Sequence, residues 1–201
     1  MVYYLLNESN INAPLDLSKV KSIAAKIAAK TKADEKKPVG NQNCLICTMC
    51  MEANLKGIKI LPRPVYSPRD IIFKHDATPI VLNPSKTTIK NRDHIKSILH
   101  KAGNYSRYYC HVNWKDSMGG HEFLLINIDD TVYVVDAQAN LVGPIDDKVT
   151  GRYFDKINWD NSFVYRVDNK QMNPKVLEYN NMKYCLPWDE EKDRKYLEDQ
   201  E

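Results

Sequence analysis

The chain lacks several features that would assign it at once to a class of protein. No stretch of its 201 residues reaches the roughly 18 apolar positions that a membrane-spanning helix needs. The first ten residues, MVYYLLNESN, have neither the basic start nor the long apolar run of a secretory signal peptide. A formal net charge of only +3 is too mild to indicate nucleic-acid binding. These absences predict a protein with no membrane span and no nucleic-acid partner.

The chain has only five cysteines, and three of them lie in one run, NQNCLICTMCMEANLKG, at residues 41–57. An odd and clustered set argues against a secreted disulfide scaffold and favours reduced thiols, as in the cytosol of a producing or target cell. A protein delivered by a secretion system or packaged in a phage particle would also lack a signal peptide. The sequence leaves these routes open.

Hydrophobic periodicity divides the chain into a helical first part and a β-rich second part. Helices are predicted over residues 18–37, where Ser18 can cap the start and Pro38 stops the helix, and over residues 44–56 and 92–103. Alternating segments then predict strands SRYYCHVNW, HEFLLINI, TVYVVDA and SFVYRVD, with a tight turn at Asp129 and Asp130. Helices followed by an antiparallel sheet indicate an α+β fold.

The cysteine run does not fit a zinc site well. On one helix, Cys44 and Cys47 are separated by about 60° around the axis, and Cys44 and Cys50 by about 120°. A single helix therefore does not direct all three thiols at one ion, and no second pair of ligands follows downstream. We predict neither a metal nor a cofactor.

A nucleophilic cysteine at the start of a helix explains the run better. A helix N-terminus lowers the pKa of a thiol, and Cys44 is the first residue of the predicted helix. The unpaired N–H groups of that turn can also face an oxyanion. Cys47 and Cys50 lie among apolar residues and are interpreted as packing residues.

A nucleophilic cysteine needs a base, and histidine is the usual one. Of the five histidines, His121 suits this role best, because it follows two glycines and opens an apolar strand. His111 is interpreted as structural and the remaining three as surface residues. Asp136 ends the next strand, where its carboxylate is expected to hydrogen-bond to His121 and orient the ring. The alternatives are a turn-capping aspartate and an ordinary edge histidine.

Three segments in this order resemble the papain-like fold toxins of bacteria and phages: NCLICTMCMEANLKGIKILPRP, GGHEFLLINIDDTVYVVDAQ and FVYRVDN. The resemblance implies a papain-like fold in which a helix carrying the cysteine packs on an antiparallel sheet carrying the histidine and the acid. It covers residues 41–170 as a catalytic domain. Residues 1–40 are then an N-terminal helical extension and linker, and residues 171–201 a C-terminal segment with an acidic tail.

The resemblance maps the catalytic positions onto Cys44, His121 and Asp136. It also places Asn43 before the nucleophile and Gln138 where it can help to position the substrate, while Gln42 is a candidate oxyanion donor. Two departures from the family pattern are the NLKG end of the helix and an alanine, not a proline, after the aspartate.

The implied function is a cysteine-dependent amidohydrolase, a toxin or effector that deamidates glutamine side chains of a target protein. A cysteine protease with the same triad is an alternative, and so is a structural component of a phage particle that uses the fold for binding. The expected partners are a protein substrate and, for a toxin, an immunity protein or a carrier or particle protein.

Overall fold

A computed structural model describes residues 14–32, 43–62, 79–115, 119–174 and, for the backbone alone, 185–187. Within these residues the fold is α+β, with four helices and a six-stranded antiparallel sheet. The helices are α1 (Leu17–Lys32), α2 (Cys44–Leu55), α3 (Arg92–Ala102) and α4 (Lys148–Asp155). None of the helices in the described ranges is long and apolar enough to span a membrane.

The main sheet has the order β2-β7-β3-β4-β5-β6, with β3 and β4 at its centre. Its strands are β2 (Thr87–Thr88), β3 (Arg107–Trp114), β4 (Gly120–Ile128), β5 (Thr131–Asp136), β6 (Leu141–Pro144) and β7 (Ile157–Arg166). A separate two-stranded sheet pairs β1 (Ile60–Pro62) with β8 (Cys185–Pro187). Asp129 and Asp130 join β4 to β5 with positive φ angles of 49° and 58°, as the tightest hairpin turns require.

Helices cover both faces of the sheet, because alternate residues of its central strands are apolar on both sides. One core lies between the sheet and α1 and α2, and includes Tyr109, Leu124 and Ile126. The other lies on the opposite face with α3 and α4, and includes Phe123 and Leu125. Since side chains alternate along a strand, each residue of β4 belongs to one face or the other.

Helix α2 is the central helix of the fold. All its residues from Cys44 to Asn54 are buried, and both α1 and β1 contact it. A helix that is buried on every side cannot show an amphipathic pattern. It ends at Leu55, and Gly57 follows with a φ of +86°, which favours glycine at this position.

A buried network of charges holds the end of α2 against the sheet. Arg107 of β3 donates two hydrogen bonds to Glu52, at 2.8 and 2.9 Å, and Lys56 lies 3.2 Å from the same carboxylate. The backbone N–H of Arg107 donates to Asp168, which also forms a bidentate pair with Arg166. Buried charges need such complete pairing, so the network fixes where α2 lies along the sheet.

Candidate active site

Cys44 is the first residue of α2, as the sequence predicts. Its thiol hydrogen-bonds to an oxygen of the Glu122 carboxylate on β4. The neighbouring helical turn reinforces this contact, because the Thr48 hydroxyl donates to the Glu122 backbone carbonyl at 3.0 Å. The start of α2 is thus anchored on the strand that carries the carboxylate.

The second oxygen of Glu122 lies 3.0 Å from Nδ1 of His111. These two residues are directly opposite each other in the β3–β4 pairing, so they share one face of the sheet. The His111 ring stacks on Phe163 of β7, with ring centroids 5.0 Å apart. A thiol, a carboxylate and an imidazole therefore form one cluster, which we call the thiol cluster (Cys44, Glu122 and His111).

The thiol cluster is mostly buried but reaches the surface. The His111 side chain is 14% exposed, and Cys44 is 9% exposed. Gly120 makes room for the His111 ring. A Cβ at this position would lie 2.9 Å from the Val112 carbonyl and 3.0 Å from the ring. A glycine is required there for β3 and β4 to approach while the imidazole keeps its place.

The position of Cys44 predicts a lowered thiol pKa, and this expectation is wrong for the described conformation. Burial raises the pKa of the Cys44 thiol well above its ordinary value, and the negative charge of Glu122 raises it further. The thiol is therefore protonated at neutral pH and needs a base before it can act as a nucleophile.

His121 and Asp136 form the hydrogen bond that the predicted hairpin geometry suggests. Nε2 of His121 lies 2.6 Å from the Asp136 carboxylate. That carboxylate also accepts the Tyr153 hydroxyl at 3.0 Å and the backbone N–H groups of Gln138 and Ala139. We call this group the aspartate cluster (His121, Asp136 and Tyr153).

The aspartate cluster compensates the negative charge that it buries. Burial alone would raise the pKa of Asp136, but the His121 ring, the backbone N–H of Ala139 and the Tyr153 hydroxyl together lower it. For Tyr153, burial and the adjacent carboxylate raise the hydroxyl pKa, so the group stays a hydrogen-bond donor.

The three residues of the predicted triad are not brought together in this structure. His121 packs against Trp114, Phe123 and Tyr153, on the face covered by α3 and α4. Cys44 lies on the other face, where its thiol contacts Glu122, the residue that follows His121 in β4. The pairing of His121 with Asp136 is present, whereas the pairing of the thiol with that histidine is not. The catalytic roles of all three residues stay predictions.

The other predicted site residues have different surroundings. Asn43 is fully buried before α2, and its carbonyl accepts the N–H of Cys47, while its side chain does not cap the helix. Gln138 reaches the aspartate cluster through its backbone. Gln42 lies outside the described residues. Among the side chains that the structure describes, no group of three could hold a metal ion.

Sequence reasoning missed Glu122 and treated His111 as structural. The available signal was a charged residue inside the otherwise apolar strand HEFLLINI, since a buried glutamate needs specific partners. Tyr153 was missed because α4 was not predicted at all.

Comparisons with protein-family models, with curated proteins and with solved structures found no match. The similarity to papain-like toxins therefore depends on the three sequence segments alone.

Proposed function

We propose that the chain is a cysteine-dependent amidohydrolase in which Cys44 is the nucleophile and Glu122 is the general base. The observation that supports this most directly is the hydrogen bond from the Cys44 thiol to Glu122 at the start of α2, with His111 on the other carboxylate oxygen. A nucleophile, a base and a group that orients the base are the components that such catalysis needs.

In the proposed reaction, the sulfur of Cys44 attacks the carbon of a carboxamide while Glu122 accepts the thiol proton. His111 hydrogen-bonds to the carboxylate and orients it. The first-turn N–H groups of α2, which have no acceptor within the helix, face the oxyanion. The C–N bond then breaks, Glu122 returns the proton to the leaving ammonia, and water hydrolyses the thioester to restore the thiol.

The proposed substrate is the glutamine side chain of a target protein, as the resemblance to papain-like toxins suggests. Deamidation creates a glutamate and so adds a negative charge, which can disrupt an interface of the target. A papain-like arrangement of the fold is part of the same proposal, and a helix that carries a cysteine and packs on an antiparallel sheet agrees with it.

Release of ammonia from an N-blocked glutaminyl-glycine dipeptide tests the activity directly. The Cys44→Ala variant should lose at least about a thousandfold in rate. Glu122→Gln should lose on the order of a hundredfold or more, since it removes a general base and keeps its shape. Cys50→Ala is the matched control, because it removes a buried thiol of the same helix that lies outside the site.

Other outcomes would redirect the proposal. A new amino terminus in a protein substrate, without ammonia, would indicate a protease. Full activity in Glu122→Gln together with complete loss in His121→Ala would show that Cys44 works with the aspartate cluster. Full activity of Cys44→Ala would rule out the mechanism altogether.

A further inference from the structure

We propose that Cys44 and Cys47 are a redox-active pair that forms a reversible disulfide with small disulfide compounds such as oxidised glutathione. The pair is a C-x-x-C sequence at the start of a helix, and it lies within residues 44–47 of α2. The disulfide itself does not depend on the proposed hydrolase. The consequence for activity does depend on the proposed hydrolase, because oxidation would block its nucleophile.

Helix geometry allows this bond and excludes its nearest competitor. Residues three apart on a helix rise by about 4.5 Å and lie about 60° apart, which suits the Cα separation of a disulfide. Cys50 lies about 9 Å from Cys44 along the axis, beyond the reach of one disulfide. Cys47 is therefore the only cysteine of α2 that can bond to Cys44.

Exposure gives the two thiols different roles. Cys44 is 9% exposed, whereas Cys47 is 1% exposed and Cys50 is fully buried. A small disulfide can therefore reach Cys44 first, and Cys47 acts from inside the protein. The remaining i,i+3 pair, Cys47 and Cys50, has the same spacing but no member that an external compound can reach.

In the described structure the Cys47 thiol is reduced and contacts α1. Its sulfur lies 3.4 Å from the Thr31 hydroxyl on α1. That hydroxyl donates its only proton to the Ile27 carbonyl at 2.9 Å, so the thiol of Cys47 is the donor to Thr31. In the proposed sequence this protonated thiol reacts second, with the mixed disulfide that forms on Cys44.

The exchange balances without any further reagent. Cys44 loses its proton to Glu122, attacks one sulfur of the small disulfide and releases one thiolate, leaving a mixed disulfide on Cys44. The sulfur of Cys47 then attacks the Cys44 sulfur and expels the second thiolate, which takes up a proton. Two protein thiols are oxidised by two electrons, and one small disulfide is reduced to two thiols.

The test is to incubate the full chain with oxidised glutathione at pH 8 and then block free thiols with iodoacetamide. We expect mass spectrometry to show a peptide covering residues 44–50 that is about 2 Da lighter and carries one alkyl group, on Cys50. In a parallel sample that is reduced with dithiothreitol before unfolding and alkylation, all three cysteines should carry an alkyl group.

Two matched variants make the result decisive. Cys47→Ala should stop at the glutathione adduct on Cys44, whereas Cys50→Ala should still form the disulfide, although both remove a buried thiol from α2. A wild type that stays reduced, or that accumulates only the adduct, would overturn the proposal. Ammonia release, measured in parallel, tests the hydrolase separately: an inactive protein that still forms the disulfide would refute only the enzyme.

Discussion

The two sides of β4 carry two clusters of similar composition and different chemistry. Each pairs one carboxylate with one histidine: Glu122 with His111 on the side of α2, and Asp136 with His121 on the side of α4. The carboxylate on the α4 side accepts four donors, including a tyrosine hydroxyl and two backbone N–H groups. Only the carboxylate on the α2 side contacts a thiol.

Under the proposed mechanism, this difference separates a stabilising carboxylate from a reactive one. A carboxylate that accepts many donors is held as an anion and contributes to stability. A carboxylate that accepts a hydrogen bond from a thiol is placed to accept its proton. A histidine next to an acid is thus not enough to locate a cysteine hydrolase; the position of the sulfur decides.

Among the changes that compare the two clusters, the largest effect is expected from replacing each histidine in turn. His111→Gln should reduce ammonia release by about tenfold to a hundredfold, since the base loses the partner that orients it. His121→Gln should change the rate by less than about threefold, because its ring lies on the other face. The rates of the two variants with the glutamine dipeptide measure this contrast. A reversed order would assign catalysis to the aspartate cluster.

The next effect concerns stability and its dependence on pH. Asp136→Asn should lower the free energy of unfolding by about 1–3 kcal/mol at pH 7, because it breaks a buried, fully bonded carboxylate. The folded pKa of Asp136 is lowered, so its contribution is present above the unfolded value of about 3.9 and is lost as the pH falls through the folded pKa.

Urea unfolding at several pH values checks this prediction. The difference between wild type and Asp136→Asn should be largest near neutral pH and should shrink in acid. A difference that stayed constant down to the acid limit would show that Asp136 does not titrate below its ordinary range.

The pH dependence of Cys44 alkylation shows which of the two carboxylates, Glu122 or Asp136, acts on the thiol. In the wild type, the midpoint of its pH dependence should lie above the ordinary thiol value of about 8.5, because burial and then Glu122 raise the pKa. Glu122→Gln should move the midpoint down, and Asp136→Asn should leave it unchanged. Peptide mass spectrometry after brief exposure to iodoacetamide provides the measurement, with the buried Cys110 as a marker of unfolding.

The smallest effect is expected from removing one hydroxyl. Tyr153→Phe keeps the ring on His121 and Phe123 but deletes the donor to Asp136. A single hydrogen bond to a charged group contributes about 1.5–3 kcal/mol at most, and the three remaining donors should keep the loss near 1 kcal/mol. Thermal unfolding should show this loss while ammonia release is unchanged.

Much of the fold follows from local patterns in the sequence. The helix from Cys44 and the helix ending before Gly103 have clear glycine stops, and the turn at Asp129 and Asp130 is present. The short elements were not predicted, since β6 and α4 have four and eight residues and little periodicity. The cap of α1 was assigned to Ser18, but Asp16 accepts the Ser18 N–H and hydroxyl there.

The candidate site was only partly predictable, because sequence spacing does not reveal which face of a sheet a helix covers. His121 and Asp136 are correctly paired by the hairpin. The position of Cys44 depends on how α2 docks, and docking is determined by distant contacts such as Glu52 with Arg107. Such contacts link residues far apart in the sequence and leave no local pattern.

The pleat of β4 places residues of two different clusters next to each other in the sequence. His121 and Glu122 are consecutive, yet they face different cores because successive side chains point in opposite directions. One residue inserted just after Glu122 would turn Glu122 away from α2 and place the new side chain in the position that contacts Cys44. A single added codon would therefore remove the carboxylate that contacts Cys44, while the strand from Phe123 onward kept its register.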